Sequence, residues 1–171
     1  MLSNFQIPEI FRAYNTPLIF IGMKDQMPKR VKDGNYIINL QSSTDGNGLH
    51  WLALRISGKE AFYADSFGAP PPIEIIAFVK RRKGVRFGYS NVIIQNLGSE
   101  NCGYFASAFL IYLERNKTQS LFNTAKVYLR KFDANSALND GVLREIYKSF
   151  SSATPALIRR LDDEKQIKYE N

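Results

Sequence analysis

Two residue types that carry much of enzyme chemistry are almost absent from this chain of 171 residues. It contains one cysteine, Cys102, and one histidine, His50. A single cysteine excludes an intramolecular disulfide, and one cysteine with one histidine excludes a zinc site built from several such side chains. Any cysteine or histidine chemistry must therefore use these two residues.

Long apolar runs and secretory features are also missing. No apolar run approaches the roughly 18 residues that a transmembrane helix needs, and the first twenty residues lack the basic stretch and apolar core of a secretory signal. An unpaired thiol is typical of reducing compartments. We therefore expect a protein that is neither secreted nor membrane-bound, located in the cytoplasm or nucleus, or in a virion assembled there.

The overall composition is that of an ordinary globular protein. Hydrophobic residues make up 44% and charged residues 23% of the chain, close to globular averages. The length predicts a single domain over residues 1–171. We also expect a monomer, with a tail of mixed charge that frays after about residue 161. The 23 Lys and Arg exceed the 16 Asp and Glu by 23 − 16 = 7, which suggests an acidic partner such as nucleic acid, although net charge is first a matter of solubility.

Hydrophobic periodicity predicts an α+β fold, with a mixed, mainly antiparallel sheet and a central buried helix that starts at Cys102. The predicted strands cover residues 17–23, 36–40, 50–56, 60–65 and 91–95. The predicted helices cover residues 7–13, 73–83, 102–115, 121–132 and 140–150. Asp140 is expected to cap the last of these helices, and Thr154-Pro155 to begin another.

A predicted hairpin brings the histidine close to a carboxylate. If Ser57-Gly58 forms the turn, His50 and Asp65 face each other with Cβ atoms about 4.5–5.5 Å apart. If the turn is instead Gly58-Lys59, Asp65 becomes the diagonal neighbour of His50 on the same face. In either register the carboxylate could hold the imidazole. The alternative is that Asp65 caps the turn before Gly68 while His50 lies on the surface.

The cysteine stands where a polar loop leads into an apolar helix. Backbone N–H groups and the positive end of the helix dipole would stabilise a thiolate at Cys102. Gly103 leaves room for backbone to approach, and the side-chain amide of Gln95, seven residues upstream, could donate to a developing oxyanion together with the Cys102 N–H. The alternatives are an inert buried thiol at Cys102 and an exposed strand end at Gln95.

Four short segments carry these residues in a fixed order along the chain. They are Gly48 to Trp51 (G-L-H-W), Asp65 to Gly68 (D-S-F-G) followed by prolines, Gln95, and Asn101 to Phe105 (N-C-G-Y-F). This order resembles that of the adenovirus-protease (adenain) and Ulp1-like cysteine proteases. Within this group it most resembles the versions encoded by virophages and by Polinton-type or giant-virus elements. The resemblance covers about residues 17–115.

The resemblance implies a papain-type fold with permuted order and a role for each residue. Cys102 would be the nucleophile, His50 its base and then the acid for the leaving amine, and Asp65 the residue that fixes the imidazole. Gln95 and the Cys102 amide would form the oxyanion hole. Trp51 resembles the family tryptophan that shields the His and Asp pair; the alternative is an ordinary core aromatic.

Two departures from the adenovirus enzymes accompany this resemblance. The third member of the triad is Asp65 rather than a glutamate, as is common in the Ulp1-like branch. Because Cys102 is the only cysteine, the second cysteine that adenovirus proteases use to tether an activating peptide is missing.

The sequence therefore predicts a cysteine endopeptidase, a viral maturation protease that cleaves capsid or other structural precursor proteins. The resemblance implies cleavage next to small, Gly-containing sites, since a narrow cleft between Trp51 and the oxyanion loop, with Gly103 beside it, would exclude larger side chains. No cofactor is required, although DNA or a peptide could activate the enzyme. The alternatives are an isopeptidase for ubiquitin-like proteins and a basic DNA-binding virion protein without catalysis.

Basic residues form two clusters in the sequence. One consists of Lys80, Arg81, Arg82, Lys83 and Arg86, and the other of Lys29, Arg30 and Lys32. Contact with DNA phosphates would explain them and would weaken steeply with salt, and the resemblance favours DNA because adenovirus proteases use it as a cofactor. The alternative for the first cluster is a solvated helix end whose cations suit the dipole.

Overall fold

A five-stranded mixed sheet with helices on both faces makes up the computed structural model of the chain. The structure describes residues 2–46, 48–117 and 120–150. The prediction for Thr154-Pro155 and the predicted frayed tail lie outside these ranges. In the described ranges, no helix has the length and apolar character needed to cross a membrane.

The strands lie mainly in the first half of the chain, and the longer helices lie in the second half. This order confirms the predicted α+β class. The helices are α1 Gln6–Ala13, α2 Ile73–Lys80, α3 Cys102–Arg115, α4 Leu121–Leu129 and α5 Asn139–Ser149, with short 3-10 turns at Lys24–Gln26 and Ser136–Leu138. The strands are β1 Phe20–Met23, β2 Gly34–Asn39, β3 Trp51–Ser57, β4 Glu60–Ala64 and β5 Arg86–Tyr89.

The sheet has its strands in chain order, β1 to β5. The β2–β3 and β3–β4 pairs are antiparallel, whereas the outer β1–β2 and β4–β5 pairs are parallel. Successive strand residues alternate between two cores, as the two-residue period of a strand requires. One core lies against α1, α3, α4 and α5, and the other lies against α2.

The β3–β4 register decides between the two predicted hairpins. Ser57 pairs with Glu60, and Ala53 pairs with Ala64, so the turn residues are Gly58 and Lys59. Gly58 has a φ of 56°, a left-handed conformation that glycine adopts without steric cost. Asp65 is therefore the diagonal neighbour of His50, and the prediction of a Ser57-Gly58 turn is wrong.

Helix α3 is the buried centre of the larger core. Each residue from Cys102 to Ile111 is buried, and so is Leu113. Because this segment is apolar on all sides, it is stable only when other elements cover it. The helix begins at Cys102 as predicted, with its first turn close to the end of the sheet where β3 starts.

The predicted strand over residues 91–95 is wrong. The backbone N–H groups of Ile94 and Gln95 both donate to the Ser66 carbonyl oxygen, each at 2.9 Å, so they bond to a turn rather than to a ladder. The edge position belongs to β5 instead. Gly88 in this strand permits close packing of Phe122 from α4, since a Cβ there would lie 2.3 Å from the ring.

The predicted cap at Asp140 is also wrong. The N-cap of α5 is Leu138, and Asp140 lies in the first turn of the helix. Its Oδ1 accepts a hydrogen bond from Ser99 Oγ at 3.1 Å. Asp140 therefore ties α5 to the loop that precedes Cys102.

Candidate active site

His50 and Asp65 form a buried pair at the open end of the β3–β4 hairpin. His50 Nε2 lies 2.7 Å from Asp65 Oδ1, and the two residues are only 7% and 4% exposed. The alternative of a surface histidine is therefore wrong. Asp65 Oδ1 also accepts from the Phe67 N–H at 2.8 Å, so the carboxylate holds the ring and stabilises its own turn.

The residues after Asp65 complete the support of the imidazole. The Phe67 ring stacks on His50 with centroids 4.9 Å apart and an interplanar angle of 28°, which restricts ring rotation and keeps water from that face. Gly68 has a φ of 71°, and a Cβ there would lie 2.8 Å from the Asn91 carbonyl oxygen. The glycine is required by both its conformation and this close approach.

Cys102 lies against the imidazole, so the only cysteine and the only histidine of the chain meet. The thiol is free and 2% exposed. Burial lowers the pKa of His50, but hydrogen bonds and electrostatic interactions with Asp65 and Cys102 raise it to about 9. Since Nε2 binds Asp65, Nδ1 is the ring nitrogen left for Cys102. The ring therefore carries a proton at neutral pH.

The first turn of α3 adds an electrostatic contribution at the same point. The first N–H groups of an α-helix have no partner within the helix, and they give its N-terminus a partial positive charge. Because α3 starts at Cys102, both this end and the His50 ring favour a negative charge on an oxygen placed beside the sulfur.

Gln95 is buried beside the loop that leads to Cys102. It is 1% exposed, so the alternative of an exposed strand end is wrong. Its Nε2 donates to the Ser99 carbonyl oxygen at 2.7 Å, and its Oε1 accepts from Ser66 Oγ at 2.6 Å. A primary amide has two N–H groups, so the bond to Ser99 leaves the second N–H for another acceptor.

Trp51 and Gly103 lie in contact with each other and with the N-terminal segment. Trp51 is 6% exposed, and its indole N–H donates to the Leu2 carbonyl oxygen at 2.7 Å. A Cβ at Gly103 would lie 3.1 Å from Leu2 and 3.2 Å from Trp51 Cδ1, so α3 approaches both closely. The use of these residues as a substrate cleft stays a prediction.

Sequence reasoning missed several residues that support the site, namely Leu2, Ser66, Phe67 and Ser99. Ser66 and Phe67 belong to the D-S-F-G segment that carried part of the resemblance, which was the available signal. Nothing in the sequence pointed to Leu2, because its contact with Trp51 joins residues far apart in the chain.

The arginines of the first basic cluster largely serve the fold. Arg82 forms an ion pair with Asp33 and donates to the Gly58 carbonyl oxygen at 2.9 Å. Arg86 lies 3.8 Å above the Phe122 ring. Lys80 and Lys83 are exposed, and a contact from Arg81 to the Pro28 carbonyl oxygen brings the two basic clusters side by side. Binding of DNA there stays a prediction.

Comparisons with known proteins gave matches among solved structures, two of which are crystal structures of one protease. No family model matches the chain, and no curated protein matches it. A crystal structure of the ASFV pS273R protease is 19% identical with a TM-score of 0.48, covering 73% of this chain and 61% of that one. The selenomethionine form is 22% identical with a TM-score of 0.40, covering 53% and 38%. The chain thus spans less than two thirds of either protease structure.

Proposed function

We propose that this protein is a cysteine endopeptidase whose nucleophile is Cys102. The observation that supports this most is the buried chain of contacts from Asp65 through His50 to Cys102. It unites the only cysteine and the only histidine with a carboxylate that orients the ring. A carboxylate, an imidazole and a thiol that contact one another in this order are the parts of a nucleophilic triad.

In the acylation step, the Cys102 sulfur, whose proton is held on His50 Nδ1, attacks the carbonyl carbon of the scissile peptide bond. The π electron pair moves to the carbonyl oxygen, and a tetrahedral intermediate forms. When this intermediate collapses, the C–N bond breaks and the leaving amine takes the proton from His50 Nδ1. The product is a thioester on Cys102 and a free amine.

In the deacylation step, a water molecule replaces the departed amine. His50, now neutral, removes a proton from the water as its oxygen attacks the thioester carbonyl. The C–S bond then breaks, releasing a carboxylic acid product and restoring the sulfur beside a protonated imidazole. Asp65 keeps the ring oriented throughout and stabilises its positive charge.

The oxyanion of both intermediates needs donors that are already in place. The Cys102 backbone N–H at the start of α3 and the second N–H of Gln95 Nε2 supply them in this proposal. Preorganised donors of this kind cost no rearrangement during the reaction and are among the largest contributions to catalysis.

The proposed substrates are structural precursor proteins of a virus, cleaved next to small Gly-containing sequences. The close approach of Trp51 and Gly103 supports a narrow site beside the nucleophile. An isopeptidase for ubiquitin-like proteins would use the same residues. Rates of hydrolysis of fluorogenic ubiquitin and SUMO substrates, compared with those of Gly-Gly-X peptides, distinguish the isopeptidase from the endopeptidase.

Thiol alkylation tests the proposal without knowledge of the substrate. We expect iodoacetamide to label Cys102 at pH 7 faster than a free cysteine peptide, and His50→Ala to lower the rate roughly tenfold. If Cys102 were alkylated no faster than the peptide, and at the same rate in His50→Ala, the result would instead favour a binding protein without catalysis.

A further inference from the structure

The hydroxyl of Ser66 meets the side chain of Gln95 inside the protein. Ser66 is 6% exposed, and its Oγ lies 2.6 Å from Gln95 Oε1. An amide oxygen only accepts hydrogen bonds, so the serine hydroxyl must be the donor.

The Ser99 carbonyl fixes which end of the amide faces which neighbour. It lies 2.7 Å from Gln95 Nε2, and a carbonyl oxygen at that distance can only accept. If the amide were rotated by half a turn, its oxygen would face the Ser99 oxygen and the two would repel. The Ser66 donor and the Ser99 acceptor therefore select one orientation of the Gln95 amide, with Nε2 on the side of the loop that leads to Cys102.

Ser66 also holds the main chain at Gln95. Its carbonyl oxygen accepts the N–H groups of Ile94 and Gln95, each at 2.9 Å. Its sequence neighbour Asp65 binds His50 at 2.7 Å. One dipeptide at the end of β4 thus supports both the imidazole and the amide.

We propose that Ser66 is a positioning residue that orients the Gln95 amide for oxyanion stabilisation. This inference rests on the proposed protease function. Without the hydroxyl, Gln95 Oε1 would be buried with no donor, and the amide would rotate or shift. The oxyanion would then lose a well-placed N–H, while the contact of His50 with Cys102 would remain.

The first test compares Ser66→Ala with Ser66→Thr, which keeps a hydroxyl. We expect Ser66→Ala to lower kcat about tenfold with KM within about twofold, and Ser66→Thr to recover most of the loss. Ser149→Ala is the matched control, because Ser149 Oγ donates at 2.6 Å to the Ile146 carbonyl oxygen at the far end of α5. An unchanged kcat in Ser66→Ala would overturn the proposal.

Two further measurements separate positioning from a merely structural effect. The rate of Cys102 alkylation should stay within about twofold of the parent in Ser66→Ala, because it does not depend on an oxyanion hole. Binding of a peptide aldehyde, whose adduct carries the oxyanion, should weaken about tenfold. Equal losses of alkylation and hydrolysis would overturn the proposal in favour of a general role in holding the site together.

A double-mutant cycle connects Ser66 to Gln95 directly. In a Gln95→Ala background, Ser66→Ala should lower kcat by less than twofold, since no amide is left to orient. Losses that multiply would contradict the proposal. The proposed function itself would fail on a different result, namely hydrolysis that survives in Cys102→Ala.

Discussion

His50 Nε2 lies 2.7 Å from Asp65 Oδ1 although the hairpin register sets the two residues diagonally rather than directly opposite each other. The carboxylate reaches the ring because the chain turns immediately after β4, where Gly68 N–H donates to the Asp65 carbonyl oxygen at 2.9 Å. The turn after β4 and the start of β3 thus build one wall of the candidate active site together.

Replacing Asp65 with asparagine should slow catalysis while leaving the nucleophile in place. The amide cannot stabilise the imidazolium as a carboxylate does, so we expect kcat to fall by roughly 10²- to 10⁴-fold. Peptide hydrolysis measured under single-turnover conditions checks this. Retention of more than a tenth of the parent rate would show that Asp65 does not serve His50.

The raised pKa of His50 predicts an alkaline limit of activity near pH 9. The imidazolium must protonate the leaving amine, so kcat/KM should fall as pH rises through about 9. The same shift stabilises the fold fully below pH 6.5, and this contribution disappears as pH rises through about 9.

Because the Asp65 hydrogen bond and charge both raise the pKa of His50, Asp65→Asn should move that alkaline limit to lower pH. Profiles of kcat/KM between pH 6 and pH 10 for both proteins measure the shift. An identical limit in the variant would contradict the assignment of this titration to His50.

Replacing Gln95 with alanine should remove one oxyanion donor. We expect kcat to fall by about 10²- to 10³-fold, with Cys102 alkylation unchanged within about twofold because the side chain of Gln95 bonds to Ser66 and Ser99. A parallel loss of alkylation would show instead that Gln95 supports the nucleophile itself.

The sequence predicted the meeting of His50, Asp65 and Cys102 better than the structure of the loop that carries Gln95. His50, Asp65 and Cys102 lie on a hairpin and at a helix start, whose local patterns are strong. Residues 91–95 are rich in β-forming side chains, yet their backbone bonds to the Ser66 turn. A local propensity cannot reveal such a partner, because it lies almost thirty residues away.

A largely buried ion pair between Arg55 and Glu114 joins β3 to α3. Their side chains are 9% and 11% exposed, and Arg55 also donates to Asn35 Oδ1 at 2.9 Å. Glu114→Gln would leave the Arg55 charge without its counterion, so we expect the free energy of unfolding to fall by about 3 kcal/mol. Urea denaturation at pH 7 measures this.

The same pair gives a pH dependence and a matched control. Burial raises the pKa of Glu114. Hydrogen bonds and charges from Lys117 and Arg55 together lower it by more than burial raises it, so the pKa lies below the ordinary value. Its stabilisation is therefore present above pH 4.5 and is lost as pH falls below that value. Glu145→Gln, which breaks an exposed pair with Lys148, should change stability by under about 0.5 kcal/mol; equal effects would contradict the assignment.

The most direct test of Cys102 as the nucleophile is hydrolysis by Cys102→Ala. A Gly-Gly-X peptide library and candidate precursor proteins would be incubated with the parent and the variant, with circular dichroism to show that both are folded. We expect the parent to cleave at small-residue sites and the variant to lose at least about 10³-fold in rate. Cleavage by a folded Cys102→Ala protein at the parent rate would show that Cys102 is not the nucleophile.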